Sequence, residues 1–126
     1  MAASVADASV LAALLFDEPR RAEAEELLAD ADLFEPTLLP YELASVARKK
    51  IRLDPEQEEP VLRALELLAE VPFRWVVVDQ HESVRLAMRT GLTTYDAAYL
   101  WTARSVGAQL VTFDARLQTA VGETEA

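Results

Sequence analysis

The sequence predicts an α/β fold, a parallel sheet covered on both faces by helices. Three observations carry that expectation. Strand-like and helix-like patterns alternate from one end of the chain to the other. The strand candidates at 73–78 and 108–113 are mostly apolar rather than alternating, as strands shielded on both faces are. The chain has 126 residues, 52% of them apolar and 27% charged, with no repeat, linker or low-complexity tract, which suits one domain with its own core.

Ser4-Val5-Ala6 forms a short, weakly apolar strand that ends at Asp7. Val10, Leu11, Leu14 and Leu15 then recur at helical spacing. Pro19 suits the first turn of a second helix, with Glu23, Glu25 and Glu26 on a solvated face and Ala24, Leu27 and Leu28 facing inward. Leu33-Phe34-Glu35-Pro36 is a short strand. Pro40 opens a helix through Tyr41, Leu43, Ala44, Val46 and Ala47 to a basic end, Arg48-Lys49-Lys50 and Arg52, where cations complement the helix dipole. Asp54-Pro55 starts the next helix, with Val61, Leu62, Leu65 and Leu68 inward. Phe73 to Val78 is a β-branched and aromatic run, the pattern of a buried strand. His81 to Arg89 forms a short helix closed by Gly91, and Tyr95 to Val106 another stopped by Gly107. Ala108 to Phe113 is the last strand, and Asp114 to about Val121 the last helix. The domain is expected to span 1–121, with 122–126 a frayed polar tail.

Composition narrows the chemistry. Lys and Arg number 12 against 22 Asp and Glu, a net charge of −10 with a pI near 4.5. That balance argues against a protein that grips nucleic acid by bulk electrostatics. The absence of cysteine excludes disulfides and thiolate metal sites, and suits a reducing cytosol. The single histidine, His81, excludes imidazole-rich zinc sites, so any metal would be held by oxygen, which means Mg, Mn or Ca. No apolar run approaches the roughly 20 residues of a membrane span, and no basic region precedes an apolar stretch as in a signal peptide.

Against this background the carboxylate in Thr94-Tyr95-Asp96-Ala97-Ala98-Tyr99-Leu100-Trp101 stands out, because its neighbours are building core. Asp7, Asp96 and Asp114 share a position type: each lies at a strand-to-helix junction or in a first helical turn, and Glu42 follows Pro40 by two residues. In a parallel sheet such junctions gather along the carboxyl edge, where α/β proteins place their ligands. Climbing the helix from Asp96 to Val106 gains about 15 Å. The strand from Gln109 to Asp114 returns about 16 Å. Asp114 should therefore come back beside Asp96. Carboxylates in one place repel unless something positive joins them, and a hard divalent cation meets that need. Such sites activate a water against phosphate. The competing account is capping, since Asp and Glu are the expected residues at helix N-termini. Asp96 resists it best, because Thr93 or Thr94 already offers a cap.

These residues resemble the motifs of a known family. VADASVLAALL is similar to the first motif of PIN-domain ribonucleases, LLPYELASVARKK to the second, and LTTYDAAYLWTARSVGAQLVTFDARL to the third and fourth, in order over nearly the whole chain. Ala2, Ala3 and Ser4 depart from the usual aliphatic run of the first strand. The resemblance, most of all to VapC-type toxins of bacterial toxin–antitoxin pairs, implies a three-layer fold with a parallel sheet of about four to five strands. It implies a Mg2+-dependent endoribonuclease, with Mn2+ a substitute, and an acidic quartet of Asp7, Glu42, Asp96 and Asp114. Asp7 and Asp96 would be direct metal ligands, Glu42 and Asp114 direct or through water, and Thr112, with Ser9, would orient a water or carboxylate. An RNA substrate, a cognate antitoxin and a homodimer are the implied partners.

Other residues divide between readings. Arg48, Lys49, Lys50 and Arg52, helped by Arg85, Arg89 and Arg104, are candidates to lead RNA toward the acids, against the reading of a solvated helix end. His81 reads as a surface or cap residue, and Trp75 and Trp101 as core or interface rather than base-stacking platforms. The segment from Val61 to Leu68 and the first two helices carry enough Leu and Ala for a dimer or antitoxin surface. The rival to a nuclease is a non-catalytic binding module of the same fold whose acids only cap helices. An aspartate phosphoacceptor domain is weaker, for want of a Lys beside an adjacent acidic pair.

Overall fold

The computed structural model describes residues 2–125, with side chains to residue 122. Strand β1 (Ala2–Ala6) leads into α1 (Ala8–Leu15) and α2 (Arg21–Leu27), then β2 (Ala31–Pro36) and α3 (Leu39–Leu53). Helix α4 (Glu58–Glu66) is flanked by short 3₁₀ turns and precedes β3 (Arg74–Val76). Helices α5 (Gln80–Thr90) and α6 (Thr94–Val106) follow, then β4 (Gln109–Val111) and α7 (Ala115–Glu125). The four strands form one sheet in the order β3-β2-β1-β4, parallel throughout. Parallel strands joined by right-handed crossovers set their helices on opposite faces when the chain steps outward in opposite directions from its first strand.

Successive residues Ser4, Val5 and Ala6 are all buried, so both faces of β1 are covered. The small residues of this strand accept close helices: α6 lies across β2, β1 and β4, and α1 packs on β1, α2 and α3. The main core joins Val5, Ala6, Val10 and Leu11 to Leu39, Leu43, Tyr99 and Ala103. A second cluster, Leu86, Ala87, Leu92, Leu100 and Leu117, ties α5, α6 and α7 together. Among the described residues no helix is long and apolar enough to cross a membrane.

Three expectations need correction. The run at 73–78 is not a buried strand: only Arg74–Val76 is strand, it pairs on one side alone at the sheet edge, and Trp75 and Val77 are 47% and 82% exposed. β-branched and aromatic content reports a fit to a pleated surface, not which edge of the sheet is covered. Leu27 and Leu62 were expected inward but are nearly half exposed, because α2 and α4 are short and each turns a single narrow face to its neighbours, with Ala24 and Val61 as the buried contacts. The last helix, expected to end at about Val121, continues to Glu125, and Ala126, the end of the expected tail, lies outside the described residues.

Helix ends follow the sequence signals. Thr93 caps α6, its Oγ1 accepting the Asp96 N–H at 3.1 Å. Gly107 closes α6 at φ 68° and Gly91 closes α5 at φ 75°. A Cβ at Gly107 would meet no atom within 4 Å, so Gly107→Ala has only the left-handed backbone to pay for. That substitution is expected to destabilise by about 1–2 kcal/mol, read as a lower urea midpoint with unchanged slope.

Candidate active site

The chain runs from β1 outward to β2 and β3, then returns to place β4 on the other flank of β1. Where strand order reverses, adjoining helices diverge and leave a crevice at the carboxyl edge. Asp7 follows β1 at that point and Thr112, Phe113 and Asp114 follow β4. Two hydroxyls stitch the strand ends together. Asp7 Oδ1 accepts from the Ser9 N–H at 3.1 Å, Ser9 Oγ at 2.6 Å and the Val10 N–H at 3.3 Å, so Asp7 is the N-cap of α1. Its Oδ2 accepts from Thr112 Oγ1 at 2.5 Å. Ser9 Oγ in turn accepts the Phe113 N–H at 3.0 Å, and Thr112 Oγ1 the Asp114 N–H at 3.0 Å. The Asp7 N–H donates to Val111 O at 3.1 Å.

Glu42 and Asp96 come to the same edge from the first turns of α3 and α6, and Asp114 heads α7, its Oδ1 accepting the Arg116 and Leu117 N–H groups at 2.9 and 3.1 Å. Asp96 and Glu42 feel their acidic neighbours. Burial pushes the Asp7 carboxyl above the usual range against the hydrogen bonds from Ser9, Thr112 and Val10. Burial also raises Asp96, with further push from the charges of Asp114 and Asp7. Glu42 is raised by burial, then by Asp96 and Asp7, while the Tyr99 hydroxyl pulls it down. That hydroxyl leans on Glu42 without reaching good hydrogen-bond geometry, and burial beside these acids drives its own ionisation far up.

Convergence stops short of ligation. Among the described residues no three Asp, Glu or His side chains stand close enough to hold an ion as placed. Asp7 Oδ1 is committed to capping α1 and Asp114 Oδ1 to capping α7. The donor chemistry still fits a hard divalent cation. A carboxylate oxygen has about two lone-pair sites. Asp7 Oδ1 accepts three bonds but Oδ2 only one, and no helix cap draws on the Asp96 or Glu42 side chains.

Sequence reasoning missed three residues. Glu35, in β2, has no exposed surface; its Oε2 accepts the Ala6 N–H at 2.9 Å, its Oε1 has no partner, and burial holds its carboxyl well above the usual range. Tyr99 is buried among the acids on α6. Arg116, exposed in the first turn of α7, is the cation whose field reaches Asp96. A charge inside the strand run at 33–36 was the available signal for Glu35.

The basic residues expected to lead RNA toward the acids lie further along α3. Arg48 and Arg52 are roughly 9 and 15 Å along α3 from Glu42. Arg48, Lys49 and Arg52 are exposed, whereas Lys50 pairs with Glu18 and lies over the Phe16 ring. His81 is exposed at the start of α5, Trp75 is half-exposed on the edge strand, and Trp101 packs against the second core cluster.

Acids from four separate segments at the switch point of an open parallel sheet define an α/β protein with an acidic carboxyl edge, the place where such sheets put their sites. The PIN-domain family model matches residues 4–123, and the chain belongs to that family. Ribonuclease VapC3 of Pyrobaculum aerophilum is 35% identical over 119 residues, covering 90% of each chain. The crystal structure of PAE2754 from the same organism superposes with a TM-score of 0.75 at 29% identity, over 94% of this chain and 84% of that one. VapC20 of Mycobacterium tuberculosis, a sarcin–ricin loop cleaving toxin, shares the fold with a TM-score of 0.67 at 17% identity, over 93% and 94% of the two chains.

Proposed function

We propose that this chain is a divalent-metal-dependent endoribonuclease that hydrolyses RNA phosphodiester bonds, with Mg2+ as its ion and Mn2+ as a substitute. In this reading it is the cytoplasmic toxin of a type II toxin–antitoxin pair, silenced by its antitoxin. The observation that carries the reading is the gathering of Asp7, Glu42, Asp96 and Asp114, from four separate segments, at the carboxyl edge where the strand order reverses. Likeness to Ribonuclease VapC3 supports it.

Asp7, through the open lone pair of Oδ2, and Asp96 are the proposed direct ligands; Glu42 and Asp114 complete the set directly or through water. A bound divalent ion would supply neutralisation of the phosphate and a more acidic water. Thr112 and Ser9 hold the Asp7 carboxylate in one orientation. Arg116 brings positive charge to the crevice in a chain that has little to spare, and Arg48, Lys49 and Arg52 extend it along α3. Exposed apolar side chains at Leu27, Leu62 and Leu67 are the proposed meeting points for the antitoxin or a second copy in a homodimer.

The capping geometry of Asp7 and Asp114 favours a second reading, a binding module whose acids only cap helices. Asp96 and Glu42 weigh against it. Thr93 already caps α6, and α3 has no side-chain cap at all. Purified protein incubated with structured RNA decides between the two. Cleavage is expected with millimolar Mg2+, silenced by EDTA and restored by Mn2+; intact RNA under every condition, with no thermal shift on adding Mg2+, favours the binding module.

A further inference from the structure

The end of β1 has a strand on only one side. Strand β2 pairs with β1 at Ala31, Asp32 and Leu33, then transfers its pairing to β3 from Phe34 to Pro36. Val5 and Ala6 keep β4 as their ladder partner, and the flank facing β2 opens into a wedge. Backbone amides buried in such a wedge need an acceptor. The Ala6 N–H finds it in a side chain: Glu35 Oε2, at 2.9 Å, stands in for the missing ladder carbonyl. Ala6 immediately precedes Asp7. The two peptides that lead into the proposed metal ligand are thus held from opposite sides, the Ala6 N–H by Glu35 and the Asp7 N–H by Val111 O.

We propose that Glu35 is a positioning residue for Asp7, fixing the end of β1 through the Ala6 amide so that Asp7 presents Oδ2 to a divalent cation; the cation rests on the reading of the site given above. The arrangement is a poor device for stability alone. Glu35 is fully buried and makes one hydrogen bond, and its Oε1 lies unpartnered in a floor that also holds the unpartnered Tyr99 hydroxyl. Isolated buried carboxyls cost free energy, and a ladder carbonyl would satisfy the Ala6 amide without one. An oxygen acceptor at this depth gains its purpose from what it holds in place.

Glu35→Met and Glu35→Gln separate the two roles. Met keeps the volume and removes the acceptor; Gln keeps an oxygen for the Ala6 N–H. Amide hydrogen exchange and Mg2+ titration by calorimetry are read on the full chain, with RNA left out. In Glu35→Met, exchange at Ala6 and Asp7 should rise more than exchange across the core, and Mg2+ affinity should fall about 10- to 100-fold, the range seen when an outer partner of a metal ligand is lost. Glu35→Gln should recover most of both. A Glu35→Met protein with wild-type Mg2+ affinity and wild-type protection at Ala6 overturns the proposal, whatever its melting temperature. If the wild type gives no Mg2+ response while Ala6 exchange still depends on the residue at 35, the cation reading fails and the coupling of Glu35 to Asp7 stands.

Discussion

Asp7→Asn should cut RNA cleavage by about 10²- to 10³-fold, the scale on which one preorganised electrostatic element is lost, and leave the fold intact. The asparagine oxygen can accept all three bonds that Asp7 Oδ1 now takes from Ser9 and Val10, so the cap of α1 survives. Its amide nitrogen would face Thr112 Oγ1 and donate where Oδ2 accepts, with the hydroxyl rotating to suit. What disappears is the negative oxygen at the switch point. Because burial already works against the charge on Asp7, a neutral amide costs less to bury at neutral pH, and the melting temperature should hold or rise. Single-turnover cleavage and a thermal melt read the two effects apart. Cleavage at the wild-type rate in a folded Asp7→Asn protein would falsify the nuclease reading. Loss of cleavage with a collapsed melt would instead mark Asp7 as a structural cap.

The fold was legible because its signals are local and mutually consistent. Pro40, Gly91, Gly107 and Thr93 punctuate helices where the structure begins or ends them. The return path from Asp96 to Asp114 follows from rise per residue alone. Edge position was not legible. Phe73 to Val78 carries the composition of a central strand, yet strand order is decided by which crossovers the helices permit, and nothing in six residues records that.

The placement of the acids was legible to the same extent. Acids at strand ends share a direction whenever the sheet is parallel, so their gathering at one edge follows from topology. Their exact approach does not, because capping bonds to Ser9, Val10, Arg116 and Leu117 compete for the same oxygens. Glu35 shows the other gap. A charge within an apolar strand raises the same question as Asp96 within its helix. Its answer depends on β2 changing partners at Leu33, a tertiary event with no local signature. Arg116 escaped notice because one arginine beside an N-cap is ordinary, and only its reach to Asp96 sets it apart.

Stability should fall as pH rises from about 4.5 to 8, against the habit of proteins whose carboxylates are paired. Asp7, Glu35, Glu42 and Asp96 are all raised in the folded chain, with burial the first cause in each. Between its unfolded and folded values, such a group binds more protons folded than unfolded, so the slope of unfolding free energy with pH is negative. Its contribution is therefore complete below the unfolded value, near 3.8 for Asp and 4.5 for Glu, and is lost as pH climbs through the folded one. Glu23, lowered by Arg20, acts in the opposite sense but is exposed and weak. A tenfold preference of the folded state for a proton is worth about 1.4 kcal/mol, or roughly 5 °C for a domain of this size. Glu35 should dominate, being the most deeply buried and the most strongly raised of the four. Glu35→Gln should consequently flatten the decline and melt higher than the wild type at pH 8, while the two proteins converge near pH 4.5. Melting curves across that range measure it directly. A wild type whose melting temperature climbs from pH 4.5 to 8 would mean these carboxyls are stabilised as anions in the fold, and the repulsion at the switch point would then be too weak to call for a cation.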